Sequence, residues 1–414
     1  MQTPLRLAII GMGGYAAFHH EAALKLEGML RLAATCDPAA DRLPQGSEAW
    51  NFPLRRVKVF SAYLAMLDAC AGELDWVVIP TPIPLHAEMH RACVERGLAV
   101  YLEKPPTLDP DELEEMIVAD QAASRPTNVG FNFIIQPERR AIKARLLAGE
   151  FGRLEEVRFI GEWGRSSAYF QRSSWAGRLL GTDGRPVLDS CFGNAMAHFV
   201  HNSLFWAGPH ALQDWAAPAV VRAALFRAHE IEGPDSVFVE CVAANHVRLR
   251  LAMTHACPPG NAQREELVCA RATIRFVVGS HYEIAWLDGR LERRKLPDFD
   301  AVVENQRAYC AFLRGETPGP STSLVQSRPF VHLNALIYVS AGQVRHFPSV
   351  LVQREPSGDG QAEFLSVDGL SVAMEEFLKA GTWPDWCGEE IPTPVTPLDL
   401  PRLRETLRAA AKMP

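Results

Sequence analysis

Leu5-Arg6-Leu7-Ala8-Ile9-Ile10-Gly11-Met12-Gly13-Gly14-Tyr15-Ala16 decides the fold of this chain. The first six residues read as a buried strand, and the apolar run then stops at a glycine. Gly11 to Ala16 fits G-x-G-x-x-A, and Ala16 to Leu26 continues as a helical pattern. Each small residue has a task in a strand–turn–helix unit: Gly11 permits the tight turn, Gly13 lets a pyrophosphate approach the backbone, and Ala16 lets helix and strand pack closely. The helix start then offers free N–H groups and the positive end of its dipole to phosphate oxygens. Asp37 follows about 20 residues beyond Ala16, where such units place an acid on the ribose hydroxyls. A carboxylate there disfavours a 2′-phosphate, so NAD is expected over NADP, while Arg42 nearby keeps NADP open.

Outward from this unit, Leu30 to Thr35, Trp76 to Ile79 and Ala99 to Leu102 read as further buried strands. Helical patterns lie between them: Ala62 to Ala71, Leu85 to Arg96 closed by Gly97, and one opened by Asp109-Pro110-Asp111-Glu112. Strands alternating with helices imply βαβ units and a doubly wound parallel sheet. After Asn128 the rhythm changes. A helix over Pro137 to Leu147 precedes strand-like runs at Glu155 to Ile160, Val237 to Val242, Val247 to Met253, Ala272 to Val278 and Tyr282 to Trp286. Turns separate these runs, which predicts a large open, mostly antiparallel sheet in an α+β domain. Helices are expected at Gln306 to Leu313 and Val331 to Val344. A stretch around Pro356-Ser357-Gly358-Asp359-Gly360 leads to helical pieces near Val372 to Lys379 and Pro401 to Ala411. The expected domains are residues 1–130, 131–345 and a C-terminal extension, 346–414.

Composition bounds the function. The 414 residues are 48% hydrophobic and 22% charged, enough apolar material for a sizeable core, which excludes a disordered or fibrous chain. The net charge is −7 and no Lys/Arg stripe stands out, which argues against a nucleic-acid reader. The N-terminal apolar run is too short for a signal h-region, and no uncharged stretch approaches the roughly 18 residues a membrane helix needs. Nine cysteines stand singly with no C-x-x-C pair, as in a chain with reduced thiols, so a cytoplasmic location is expected.

Three further segments accompany the glycine loop: Val77-Val78-Ile79-Pro80-Thr81-Pro82 with His86, Tyr101-Leu102-Glu103-Lys104-Pro105-Pro106, and Val129-Gly130-Phe131-Asn132. In this order and spacing the chain resembles the Gfo/Idh/MocA oxidoreductases, over the first 130 residues well and the next two hundred loosely. The resemblance implies a Rossmann domain, a second domain whose open sheet supports a homodimer or homotetramer, and hydride transfer between a nicotinamide and a carbon of a sugar, cyclitol or related polyol. The implied cofactor set is Gly11, Met12, Gly13, Gly14, Tyr15, Ala16, Asp37, Pro80, Thr81, Pro82, His86, Glu103 and Lys104. Where this family often has asparagine after the Thr-Pro pair, this chain has Ile83. Lys104, at the carboxyl end of a parallel strand, would face the crevice where such sheets bind ligands and could relay the proton of the reacting hydroxyl.

Asp189 to Asn202 falls where the family places its catalytic helix. With an α-helical spacing, Asn194, His198 and Asn202 share one face, with His201 at its border. The family's usual aspartate four residues before the histidine is Asn194 here, while Asp189 lies nine before it. Either Asn194 replaces the acid, or the chain bulges and brings Asp189 in; in the first case Asp189 would cap the helix. Asp189, His198 and His201 could also share a metal ion, but no H-E-x-x-H base accompanies them and no metal is expected. Trp163, Arg165, Tyr169 and Trp175, with Arg178 following, suit the faces and hydroxyl edges of a sugar ring, and Asn132 and Gln136 are candidate substrate contacts. Two alternatives stand beside the dehydrogenase: a dinucleotide-binding protein with little turnover, and an enzyme using bound NAD transiently for elimination or glycoside cleavage.

Overall fold

The structure, a computed structural model, describes residues 3–42, 50–121, 123, 125–358, 360–388 and 392–412. Asp359, of the stretches read above, lies outside them. Contacts divide the chain into two compact units. The first holds the residues up to Thr107, Asp111–Pro137 and Phe299–Arg328; the second holds Leu108–Pro110, Glu138–Asp298 and the residues from Pro329 onward.

In the first unit, β1 (Leu5–Ile10), β2 (Leu30–Cys36), β3 (Lys58–Phe60), β4 (Trp76–Ile79), β5 (Ala99–Leu102) and β6 (Asn128–Val129) form one sheet in the order β3-β2-β1-β4-β5-β6. Every neighbouring pair is parallel. Such a sheet is covered on both faces, which is why β4 and β5 read as unbroken apolar runs instead of alternating ones. The order reverses between β1 and β4, the point where doubly wound sheets bind ligands. The helix Ala301–Leu313 belongs to this unit and not to the second domain where the sequence placed it. Its Tyr309 meets Trp76 and Tyr101 edge-on, with centroids 5.5 and 6.1 Å away, and joins their buried core. Asp300 starts this helix by accepting the Val303 N–H at 3.3 Å.

The second unit is built on nine strands: β7 (Leu154–Trp163), β8 (Pro218–Arg227), β9 (Ser236–Ala243), β10 (Arg248–Thr254), β11 (Asn261–Cys269), β12 (Ala272–Val277), β13 (His281–Trp286), β14 (Leu291–Lys295) and β15 (Val344–His346). Their order is β14-β13-β12-β11-β7-β10-β9-β8-β15. The β7–β10 and β8–β15 pairs are parallel and the rest antiparallel. Alternation along β7 sends Val157, Phe159 and Gly161 to the face covered by the helix Ala197–Ala207, where Phe159 stacks on Phe199 at 4.8 Å. Ile160 points to the opposite face. There the helix Leu370–Ala380, in the expected C-terminal extension, lays Met374, Phe377 and Leu378 over Ile160, Phe226, Phe238 and Ala252. Each fully buried apolar side chain of this kind contributes about 1.5–3 kcal/mol. The extension thus covers the apolar end of the open sheet face, and charged pairs such as Arg158–Glu266 and Arg275–Glu266 occupy the part nearer β12. Among the described residues no helix is long and apolar enough to cross a membrane.

Candidate active site

The loop after β1 turns at Gly11, whose φ of +109° is a conformation that favours glycine, and a Cβ there would stand 3.3 Å from the Ala16 Cβ. A Cβ at Gly13 would meet nothing within 4 Å, so space lies open before the loop. The N–H groups of Gly13, Gly14 and Tyr15 donate to no backbone carbonyl among the described residues. Asp37, just past β2, is tied to this loop: Oδ2 accepts the Met12 N–H at 2.9 Å and Oδ1 the Ala39 N–H at 2.8 Å. A carboxylate oxygen has two lone pairs, so each keeps capacity for a hydroxyl. Open space, available N–H groups and a fixed carboxylate fit a dinucleotide, with the loop holding the phosphates and Asp37 the ribose. His20 fastens the loop from beneath, its Nε2 3.0 Å from the Gly11 carbonyl and 3.3 Å from Thr35 Oγ1.

Across the switch point, Glu103 is buried and accepts twice: Oε1 faces His19 Nε2 at 3.1 Å and Oε2 the Lys104 N–H at 3.1 Å. Gln306 Nε2 lies 3.1 Å from His19 Nδ1 and 3.2 Å from the His19 carbonyl. The amide donates to Nδ1, which leaves the ring hydrogen on Nε2, pointing at Glu103. The motif glutamate is therefore clamped between the glycine-loop helix and the peptide of Lys104. Neither His19 nor Gln306 carried a sequence signal. Gly130 makes room for this arrangement, since a Cβ there would stand 2.6 Å from Glu103 Oε1.

His86 lies between two turns of this unit. It is buried, with Nε2 2.8 Å from the Thr81 carbonyl and Nδ1 2.9 Å from that of Pro105, and burial lowers its pKa. It joins the Pro80-Thr81-Pro82 turn to the Lys104-Pro105 turn, and so positions both. Asn132 is likewise buried: its Nδ2 donates to the Tyr15 hydroxyl at 3.3 Å, and its Oδ1 accepts from Asn305 at 3.2 Å. Gln136 is buried in the same unit.

In the second unit, Ser190 begins the helical segment by accepting the Gly193 N–H at 2.9 Å, so the cap is Ser190 and not Asp189. Cys191–Ala195 then forms a π-helical turn, Met196 departs from helical geometry (φ −105°, ψ 19°), and Ala197–Ala207 is α-helical. The wider turn breaks the four-residue spacing, so Asn194 is not one regular turn before His198. Instead it meets the acid: Asn194 Nδ2 donates to Asp189 Oδ1 at 2.8 Å, and Asp189 Oδ2 accepts the Gly177 N–H at 2.7 Å. His201 is buried 5.0 Å from the Trp215 ring, and burial holds its pKa well below the usual histidine value.

Two basic side chains from Pro137–Leu147 hold this helix. Arg139 pairs with Glu265 at 2.5 Å, and Glu265 also accepts Trp206 Nε1–H at 3.0 Å. Lys143 closes the C-terminal end by donating to the carbonyls of Phe205, Trp206 and Gly208. Burial pushes Lys143 down to about 8. Trp163, Tyr169 and Trp175 belong to this unit; Tyr169 and Trp175 are covered by Arg172, whose Nη2 is 3.7 Å from Asp189 Oδ2.

The first unit is thus a six-stranded parallel sheet with open space before its glycine loop, and the second an α+β unit built on a nine-stranded sheet. Residues 5–131 match the Gfo/Idh/MocA model, described as the oxidoreductase family with an NAD-binding Rossmann fold. Among curated proteins it is similar to D-apiose dehydrogenase of Paraburkholderia graminis, 29% identical over 35% of this chain and 37% of that one. It is 31% identical to inositol 2-dehydrogenase 4 of Saccharopolyspora erythraea over 36% of this chain and 43% of that one. The chain thus spans less than half the length of these relatives. A crystal structure of an oxidoreductase from Agrobacterium radiobacter, in complex with NAD+, L-tartaric acid and magnesium, shares the fold over 82% of this chain and 96% of that one, with a TM-score of 0.68 at 20% identity.

Proposed function

We propose that this protein is an NAD(H)-dependent oxidoreductase that transfers a hydride between the nicotinamide and a carbon of a sugar, cyclitol or related polyol. The observation that carries this is the pairing of Asp37 with the Met12 N–H at the mouth of the glycine loop, in the same unit that clamps Glu103 beside Lys104. Bound NAD supplies the hydride acceptor. Lys104 moves the proton of the reacting hydroxyl, His198 assists it, and the Asp189–Asn194 pair orients the substrate. The relatives named for apiose and inositol support a polyhydroxylated substrate. A homo-oligomer through the open sheet would use its charged part, because the apolar end is already covered by the protein's own helix.

The Lys104→Ala protein tests the assignment. Calorimetry should give an NAD(H) affinity within severalfold of the native protein, while turnover on any substrate of a polyol panel falls 10²–10⁴-fold, as on losing a proton-transfer group. A loss below about tenfold removes Lys104 from the mechanism, and absence of NAD(H) binding to the native protein removes the function.

A further inference from the structure

The side chains flanking Asp189 carry more positive charge than a neutral sugar requires. Arg165 Cζ lies 3.8 Å from the Trp163 ring centroid and 4.3 Å from that of Tyr169. Arg172 covers Tyr169 at 3.7 Å and Trp175 at 4.9 Å. The aromatic rings thus hold two guanidinium planes in place, a geometry that favours cations and fixes the orientation of their N–H groups.

Charge balance is the telling feature. Arg165 forms no ion pair among the described residues, and its Nε is buried with no acceptor. Asp235, another buried acid of this unit, is committed elsewhere: it accepts from His229 Nδ1 at 2.7 Å, from the N–H groups of Ala228 and His229, and from the Ser236 hydroxyl. His229, packed nearby, presents no acceptor to Arg165 either, since its Nδ1 lies on Asp235 and its Nε2 on the Arg165 carbonyl. Burial lowers the pKa of Arg165, and Arg172 adds to the effect. Asp189 lies 3.7 Å from Arg172 and is already engaged by Gly177 and Asn194. Of the two guanidiniums stacked on Tyr169, one thus lies beside a carboxylate that is already occupied and the other pairs with none among the described residues. A buried cationic donor without a partner is costly, and an anionic ligand removes that cost.

We infer that the substrate is an anionic carbohydrate, a sugar or polyol bearing a carboxylate or a phosphate, whose anionic group is held by Arg165 and Arg172. This rests on the reading that the Asp189–Asn194 pair touches substrate. A guanidinium fork matches both kinds of oxyanion, so the shared chemistry is the oxyanion itself.

The test is calorimetry in the presence of NADH with matched sets: neutral hexoses and pentoses, their uronic or aldonic acids, and their phosphate monoesters. At least one acid or phosphate should bind about tenfold or more tightly than its neutral parent, the gain expected of a charge-assisted hydrogen bond. Preference for the acid or for the phosphate tells which oxyanion is meant. In the Arg165→Gln protein the gap should close while NADH affinity stays unchanged, and Arg165→Lys, which keeps the charge and loses the fork, should close it in part. Should Arg165→Gln fail to fold, Arg172→Gln, on the more exposed side of Tyr169, should narrow the same gap. Neutral sugars binding as well as their anions, no member of any set binding, or a gap that survives both substitutions would overturn the inference. Because the readout is binding, its failure is distinct from a failure of turnover in the Lys104→Ala experiment.

Discussion

Replacing Glu103 by glutamine keeps the shape of the side chain and removes one acceptor, and the surroundings make the cost calculable. Two N–H donors converge on the carboxylate, His19 Nε2–H on Oε1 and the Lys104 N–H on Oε2. The histidine cannot offer an acceptor instead, because Gln306 occupies its Nδ1. The side chain cannot swing aside toward Gly130, whose missing Cβ is the only reason Oε1 fits there. A glutamine has one carbonyl oxygen, so one of the two donors must face an NH2 group in a buried place. Leaving a buried donor unsatisfied costs about 1–3 kcal/mol. Urea unfolding of Glu103→Gln should show that loss at an unchanged denaturant slope. The same substitution in a His19→Phe background should cost less by about 0.5 kcal/mol or more, because only the Lys104 donor then remains. A loss under about 0.5 kcal/mol, or an equal loss in both backgrounds, would refute the two-donor account.

Two further outcomes follow from packing and charge. In Gly161→Ala the new Cβ would stand 2.5 Å from Met196 Sδ and 2.9 Å from the Phe159 ring, so overpacking should cost about 1–3 kcal/mol, and a melting temperature within a degree of the native value would contradict it. For Asp235, burial acts to raise the pKa, but hydrogen bonds and charge from His229 outweigh it and hold the carboxyl below its ordinary value. Its contribution is then present above the unfolded pKa of about 3.9 and disappears as pH falls through the folded value, so Asp235→Asn should flatten the loss of stability below about pH 4 in urea titrations; an unchanged acid limb counts against the pair.

The fold was legible wherever a local pattern and a local cause coincide. The run Leu5–Ile10 followed by a glycine turn has few alternatives, and β4 and β5 announced themselves as buried strands. β11 did not, although it pairs with the centre of the sheet through β7. Its sequence, Asn261 to Cys269, places Glu265 at a fully buried position, which spoils the apolar alternation. That acid is tolerable because Arg139, 126 residues earlier, neutralises it, and no local window contains both. The same reason hid the membership of Ala301–Leu313. Its helical period was readable, but the choice of Trp76 and Tyr101 as packing partners lies outside any window. The helix Leu370–Ala380 was also readable as a helix, yet its role in covering the sheet expected to join two subunits depends on Phe238 and Phe226, far upstream.

At the candidate site the boundary runs between motif and geometry. Gly11, Gly13 and Asp37 act through backbone positions that the loop itself dictates, so spacing sufficed. Asn194 and Asp189 defeated spacing, because counting in fours assumes an α-helix. Ser190 caps Gly193, and the turn that follows is five residues wide, so Asn194 leaves the His198 face and lies against the acid that seemed its competitor. The choice between them as stand-ins for the family's aspartate then dissolves. Asp189 fixes the amide by accepting one of its N–H bonds, and the amide presents polar atoms that hold a hydroxyl but cannot take its proton. Such a pair, in the proposed function, orients the substrate without acting as its base. In the proposed function the proton therefore falls to Lys104 and His198, and this division explains how an asparagine can stand at the family's aspartate position without removing hydride transfer from the chain's chemistry.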